Sequence, residues 1–184
     1  MKLTGDRYEA LCADLDDALR ALVAPLECDP ALWTRRPARR PTAWSAGGHV
    51  AHLALCLEDA RAGLERALDR LRAGALPPPP RRGPLEALFV RIAVQGGRLP
   101  RGGRTSPAFE PPAQATREDV LARLAREGRR HRALGLALAP SDRDRLWAPN
   151  PFRTSWHYRL PEMVRMHAVH ARHHAALVRD IAAG

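Results

Sequence analysis

Four of the eight histidines in this 184-residue chain lie within eight residues near its C-terminal end. A helical step of 100° per residue puts His170 near the centre of the apolar stripe and His174 one turn further on, with His167 and His173 at opposite margins. Side chains at positions i and i+4 lie about 5–6 Å apart at Cβ, and both can reach one zinc ion at about 2.0–2.1 Å. His170 and His174 are therefore candidate metal ligands. The alternative is that they are polar surface histidines or hydrogen-bonded core histidines.

A metal site of this kind needs a third donor, and the segment 44–73 offers two more histidines. Ser45 is a typical helix N-cap, and the apolar positions after it follow the helical period. His49 lies nearer the centre of that apolar stripe, whereas His52 lies at its edge. Burial alone favours His49, but an edge position facing a cleft suits a metal site too, so the helical pattern leaves the choice open.

The elements that must position these residues are all predicted to be helices. Apolar periodicity and capping residues predict five, which run from Thr4 or Asp6 to about Ala24, from Ser45 to about Ala73, from about Pro84 to Gln95, from the capping pair Thr116 and Asp119 to Pro140, and onward from Pro161. Pro25 is expected to close the first helix.

Loops with many prolines and glycines are predicted between these helices. They cover residues 26–43, the proline run 77–80 and residues 96–115, and a further loop carries Trp147 and Trp156. No segment alternates with a period of two for long enough to predict a strand. We therefore expect one all-α domain over residues 1–184, namely a four-helix bundle with an additional short helix.

The composition limits the classes of function. The formal net charge is +10, with 29 arginines and one lysine. Such a chain could bind nucleic acid or an anionic ligand, but an Arg-, Ala- and Pro-rich composition is also typical of a GC-rich genome. The arginines are spread along the chain, and aromatic residues make up only 5%. A single-strand-binding surface needs more stacking platforms than this, so nucleic acid is not the favoured partner.

The location of the protein is predicted from absent signals and from its cysteines. No apolar run of about 18 residues predicts a membrane span, and the N-terminal residues lack the apolar core of a signal peptide. The three cysteines, Cys12, Cys28 and Cys56, are scattered. This pattern favours reduced thiols in the cytoplasm over a disulfide framework.

Two motifs resemble those of the DinB/YfiT-like superfamily of metal-dependent enzymes. The run 44–53 (WSAGGHVAHL) is similar to the Trp-Ser…His-Leu opening of the second helix in that superfamily, and the run 170–174 (HARHH) is similar to its C-terminal His-x-x-His-His element. The proline-rich middle and the lead-in residues 150–162 also fit. The resemblance covers essentially the whole chain and implies a four-helix bundle.

The resemblance implies a metal site made by one histidine of the second helix and two of the last. By register these are His52, His170 and His174, with a divalent ion, zinc or nickel, as cofactor. Three imidazoles leave a coordination position open for water or a substrate atom. His49, His167 and His173 are expected next to these ligands or at the surface.

The same resemblance implies a hydrolase or a transferase that uses a low-molecular-weight thiol, and a homodimer. The chain departs from the superfamily pattern at Gly48 and Leu177, where polar residues are common. Asp59 lies seven residues after His52 on the same side of the helix and is a candidate general base, but a solvated carboxylate paired with a nearby arginine is the favoured interpretation. Cys56 is expected to be a small core residue. A basic nucleic-acid-binding protein or a non-catalytic member of the same fold is the alternative.

Overall fold

Helices account for most of the structure. The computed structural model describes residues 5–99 and 105–184. In chain order the helices are α1 (Gly5–Cys28), α2 (Ala46–Arg72), α3 (Pro84–Phe89, followed by the π-helical segment Val90–Gln95), α4 (Arg117–Leu136), α5 (Pro140–Arg145) and α6 (Leu160–Ala183). Short 3-10 helices cover Pro30–Thr34 and Pro107–Phe109. The prediction of a mainly helical protein is confirmed.

One hydrophobic core is shared by the four long helices α1, α2, α4 and α6. Each contributes side chains that are almost completely buried, for example Leu15, Leu57, Leu124 and Val164. Helix α6 packs against α1 and α2, and α4 packs against α2 and α1. The apolar face of each amphipathic helix therefore packs into this shared core. The four-helix-bundle topology and the single domain over residues 1–184 stay predictions.

The expected cap residues begin three of the long helices. The Ser45 side chain accepts a hydrogen bond from the Gly48 N–H at the start of α2, and Thr116 does the same for Asp119 at the start of α4. Pro161 lies in the first turn of α6, where its missing N–H costs nothing. Thr4 and the side chain of Asp6 lie outside the described residues.

Helix α1 does not end at Ala24, and the prediction that Pro25 closes it was wrong. The helix continues through Pro25 to Cys28. Leu22 and Leu26 are both fully buried, so the extra turn extends the apolar stripe into the core. This packing outweighs the hydrogen bond that a proline removes from a helix.

The middle helices also differ from the predicted bounds. The helix predicted from Pro84 to Gln95 changes to π-helical geometry at Val90. Helix α4 ends at Leu136, and Pro140 begins the short helix α5 instead of only ending α4. Proline is favoured in the first turn of a helix, which explains this second role.

A two-stranded sheet leads into the histidine helix, and its strands were not predicted. Strand β1 (Trp147–Pro149) pairs antiparallel with β2 (His157–Arg159). In the turn between them, Asn150 Oδ1 accepts hydrogen bonds from the N–H groups of Phe152 and Arg153. Strands of three residues are too short to show alternation, so the sequence pattern could not reveal them.

Ion pairs fix the start of α6 against the segment before α3. Arg82 makes a bidentate pair with Glu162, and Nη1 lies 2.8 Å from Oε1. Glu162 also accepts the Arg159 N–H at 2.9 Å, which closes the N-terminus of the helix. Buried Glu86 accepts the N–H of His157 at 2.8 Å. These contacts set the position of the helix that carries four histidines.

Two histidines face each other in the core between α4 and α6. The rings of His131 and His167 are 5.2 Å apart, and both side chains are buried. His131 Nε2 lies 2.9 Å from the Leu57 carbonyl and donates to it, whereas neither ring nitrogen of His167 has a hydrogen-bond partner among the described residues. The His167 ring therefore lies in the core and not at the surface, and the charge of His170 contributes to lowering its pKa. Its place next to the metal ligands stays a prediction.

A glycine of α4 permits the close approach of α1. A Cβ at Gly135 would overlap the ring of fully buried Tyr8, whereas a Cβ at Gly63 in α2 would meet its nearest atom at an ordinary 3.5 Å. We expect Gly135→Ala to lower the free energy of unfolding by about 1–3 kcal/mol through overpacking. Gly63→Ala, the control, should raise it by about 0.5–1 kcal/mol. Urea unfolding of both variants tests this, and equal effects would contradict the packing argument.

The buried histidines predict a loss of stability in acid. Burial, and then the charges of His131 and His170, hold the pKa of His167 well below its ordinary value, so the folded state keeps this ring neutral. The unfolded ring takes up a proton below about pH 6.5, so stability is complete above that pH and falls as the pH falls. Each such histidine lowers the free energy of unfolding by roughly 1 kcal/mol when the pH falls from 7.5 to 5.5.

Substitution of His167 tests this account. In metal-free protein, His167→Leu should lose less stability on acidification than the wild type, by about one histidine's share. Met166→Leu, the adjacent half-buried position, is the control without a titratable group and should behave like the wild type. Urea midpoints at pH 7.5 and 5.5 provide the measurement. An unchanged pH dependence in His167→Leu would show that this ring titrates normally.

Candidate metal centre

Helices α2 and α6 bring together imidazoles that are more than a hundred residues apart in the sequence. His52 Nε2 lies 3.4 Å from His170 Nε2, and the two rings meet edge to face. His174, one turn after His170, places its Nε2 2.9 Å from His170 Nε2. The ring of His174 is also 4.9 Å from that of His52. The three rings selected from the sequence therefore share one place; that they hold a metal ion stays a prediction.

A carbonyl of the 96–115 segment orients His52. The 3-10 turn Pro107–Phe109 puts the Phe109 carbonyl 2.8 Å from His52 Nδ1, which donates its N–H to it. That hydrogen bond leaves a lone pair on Nε2, the atom that faces His170. Metal-ligating histidines are commonly fixed in this way through their other ring nitrogen.

A fourth histidine orients His174. His49 Nδ1 lies 2.9 Å from His174 Nδ1, and the two rings are 5.0 Å apart. When His174 donates from Nδ1, its Nε2 presents a lone pair toward His170. The His49 side chain is buried, which agrees with its place near the centre of the apolar stripe of α2. His49 thus contacts the cluster through His174.

A cysteine joins the cluster one turn after His52. The Sγ atom of Cys56 lies 3.6 Å from His52 Nε2. One donor atom from each of His52, Cys56 and His170 falls within 4.8 Å of the other two. Imidazole and thiolate are both ligands of zinc and related ions. This buried group could hold a metal ion.

The imidazoles of the cluster are neutral at ordinary pH. Burial, followed by the charge of His52, lowers the pKa of His170 to about 3, and burial lowers the pKa of His49 to about 4. Burial and the neighbouring histidines hold the pKa of His174 well below its usual value, and burial lowers the pKa of His52. A neutral imidazole is the form that binds a metal, so no proton has to be removed from these rings.

Trp44 and a cavity lie beside the histidine cluster. The indole of Trp44 lies 4.8 Å from the His52 ring and 6.4 Å from the His174 ring. Beside it is a cavity of about 830 Å³ whose wall includes His49, His174, Arg39 and Arg40. A small molecule in this cavity would lie next to the histidine cluster and close to two guanidinium groups.

The other residues selected from the sequence have different positions. His173 lines the cavity, and its ring is 5.4 Å from that of His174. Asp59 is exposed, although its charge adds to the burial that raises the pKa of Cys56. Its role as a general base stays a prediction. Trp147 donates to the Pro77 carbonyl and Trp156 packs on Phe89, so both act as packing anchors outside the cavity wall.

Three groups of this site were not identified from the sequence, and the first is Cys56, which was expected only as a small core residue. The Phe109 carbonyl could not be found, because a backbone acceptor has no signature in residue types. The contacts of Trp44 were also missed, although its position directly before the N-cap of α2 was a usable signal. A side chain there projects toward the first turn, where His49 lies.

Comparisons with known proteins leave the family undetermined. No protein-family model matches the chain, and searches of curated proteins and of solved structures return no match. The likeness to the DinB/YfiT-like superfamily therefore depends on the two motifs. Of the helices in the described part of the chain, none has both the length and the hydropathy needed to cross a bilayer.

Proposed function

We propose that the protein is a metal-dependent enzyme of the DinB/YfiT type, a hydrolase or a low-molecular-weight-thiol S-transferase, whose ion is held by His52, His170 and His174. One observation carries the proposal. The Nε2 atoms of His52 on α2 and of His170 and His174 on α6, helices far apart in the sequence, lie together next to a cavity. Without an ion, neutral imidazoles could join the same nitrogens through N–H···N hydrogen bonds, and metal analysis distinguishes the two cases.

The spacing of the nitrogens fits a metal ion. Bonds of about 2.0–2.1 Å at angles of about 90–110° separate two nitrogen ligands by about 2.9–3.4 Å. The separations of 3.4 Å from His52 to His170 and 2.9 Å from His170 to His174 fall in this range. Without an ion, neutral imidazoles at this distance must share a proton or oppose their lone pairs. Zinc and nickel both suit such a donor set.

The side chains around the ligands support a small-molecule reaction. When bound, a divalent ion would supply Lewis acidity toward water or hold a substrate thiolate. The Phe109 carbonyl and His49 fix the ring orientations of His52 and His174. Trp44 packs beside the rings of His52 and His174. The cavity wall carries two arginines, Arg39 and Arg40, and two carboxylates, Glu110 and Asp180, which can orient a polar substrate.

The alternative of a nucleic-acid-binding protein depends on the net charge. Several arginines are already paired with carboxylates, and these pairs are scattered over the surface: Arg20 with Asp17, Arg35 with Asp29, Arg123 with Glu58, and Arg172 with Asp14. The ion pairs therefore do not single out one basic face.

Metal analysis of protein purified without a histidine tag tests the proposal. We expect about one zinc or nickel ion per chain in the wild type, and loss of that ion in His170→Ala. His157→Asn, which alters a buried histidine of β2, is the matched control and should keep the ion. A folded wild type that neither contains nor takes up either metal would overturn the proposal. Loaded protein should then turn over a thiol substrate that His170→Ala does not.

The role of His49 gives a second prediction. Replacing His49 by Phe keeps an aromatic ring of similar shape but removes the nitrogen that holds His174. Metal affinity should fall roughly 10- to 100-fold, the usual effect of losing a partner of a ligating histidine. Competition with a chromophoric chelator measures the affinity. An unchanged affinity would mean that His174 needs no orientation from His49 or is not a ligand.

A further inference from the structure

We propose that Cys56 is a fourth ligand of this centre, so that the resting site is closed by a thiolate of the protein itself. The inference builds on the proposed function, because it assumes an ion among the histidines. It goes beyond the three-histidine set, which leaves a coordination position open. The inference assigns the Cys56 sulfur to that open coordination position.

The distance between Cys56 Sγ and His52 Nε2 matches the separation of a sulfur and a nitrogen bound to the same metal ion. Zinc binds sulfur at about 2.3 Å and nitrogen at about 2.0–2.1 Å, and a tetrahedral angle then separates the two atoms by about 3.6 Å. The Sγ atom of Cys56 lies 3.6 Å from His52 Nε2, the nitrogen left free by the Phe109 carbonyl. The same sulfur lies within 4.8 Å of a donor atom of His52 and of one of His170. His174 is not in that group, and it adjoins it through its Nε2, 2.9 Å from His170 Nε2.

Helix geometry and burial explain why Cys56 reaches this place. It follows His52 by four residues, so the two side chains lie on the same face of α2. The Cys56 side chain is only 2% exposed, and the cavity beside the cluster is lined by His49 and His174 and not by Cys56. The sulfur is therefore held in the protein interior and is not part of the cavity wall.

This arrangement has a chemical consequence. Coordination breaks the S–H bond: the proton passes to water, and the sulfur lone pair binds the ion. Three imidazoles and one thiolate complete a four-coordinate set, which is the closed form typical of structural zinc sites. An incoming small thiol must compete with Cys56 for its position. The Cys56 thiolate thus competes with the small-thiol substrate that we propose for this protein.

Cobalt(II) spectroscopy of the full chain tests the ligand assignment. We expect wild-type protein loaded with one equivalent of Co(II) to show both visible d–d bands and a near-ultraviolet thiolate-to-metal charge-transfer band. Cys56→Ser should keep the d–d bands and lose the charge-transfer band. Cys12→Ser is the matched control, since Cys12 is equally buried at 2% but lies in α1, and it should keep both.

The outcomes separate this inference from the proposed function. Co(II) binding with d–d bands but no thiolate band in the wild type would overturn the Cys56 assignment and leave the three-histidine site standing. Failure of the wild type to bind Co(II) would overturn both. X-ray absorption of the zinc-loaded wild type needs no variant, and it should show one sulfur at about 2.3 Å beside nitrogens at about 2.0–2.1 Å.

Competition by an external thiol tests the consequence. Titrating 2-mercaptoethanol into Co(II)-loaded Cys56→Ser should restore a thiolate band. The wild type should need a roughly tenfold higher concentration for a spectral change, because its own thiolate is held at high effective concentration. Equal sensitivity of the two proteins would show that Cys56 does not occupy the position.

Discussion

The structure depends on keeping a group of buried imidazoles neutral and mutually oriented. His52, His170 and His174 turn nitrogens toward one another at distances at which two protonated rings would repel strongly. Burial removes the water that could stabilise such charges. The charge of His52 further lowers the pKa of His170, and the charges of His170, His49, His52 and His173 lower the pKa of His174. The cluster is therefore consistent with neutral rings that share protons or with a bound cation. The surrounding contacts orient the rings so that their nitrogens face one another.

Those contacts come from parts of the chain with little else in common. The loop before α4 supplies the Phe109 carbonyl, and the residue before the N-cap of α2 supplies Trp44. At the other end, the β1–β2 hairpin and the Arg82–Glu162 pair fix where α6 begins. Arg172 on α6 also pairs with Asp14 on α1, which limits rotation of the histidine helix about its axis. Irregular segments thus position the site as much as the long helices do.

The sequence predicted the helices well where a helical period and a cap agreed, as at Ser45, Thr116 and Pro161. It failed where packing outweighed a local rule. Pro25 is a helix-ending residue, but burial of Leu22 and Leu26 carries α1 past it. The strands β1 and β2 were missed because three residues cannot establish a period of two. His167 was expected next to the ligands or at the surface, and its burial against His131 depends on the packing of α4, which a single helical wheel does not include.

The residues alone determined that histidines spaced by one turn lie on a shared helix face, and that a second helix carries two more. This follows from the fixed rise and rotation of an α-helix, which are independent of the rest of the chain. Only the tertiary structure decided that His52 meets His170 while His49 meets His174. It also decided that Cys56 stands beside His52 and that the Phe109 carbonyl orients His52. Those facts depend on the relative position of two packed helices, and many side chains far from the site set that position together.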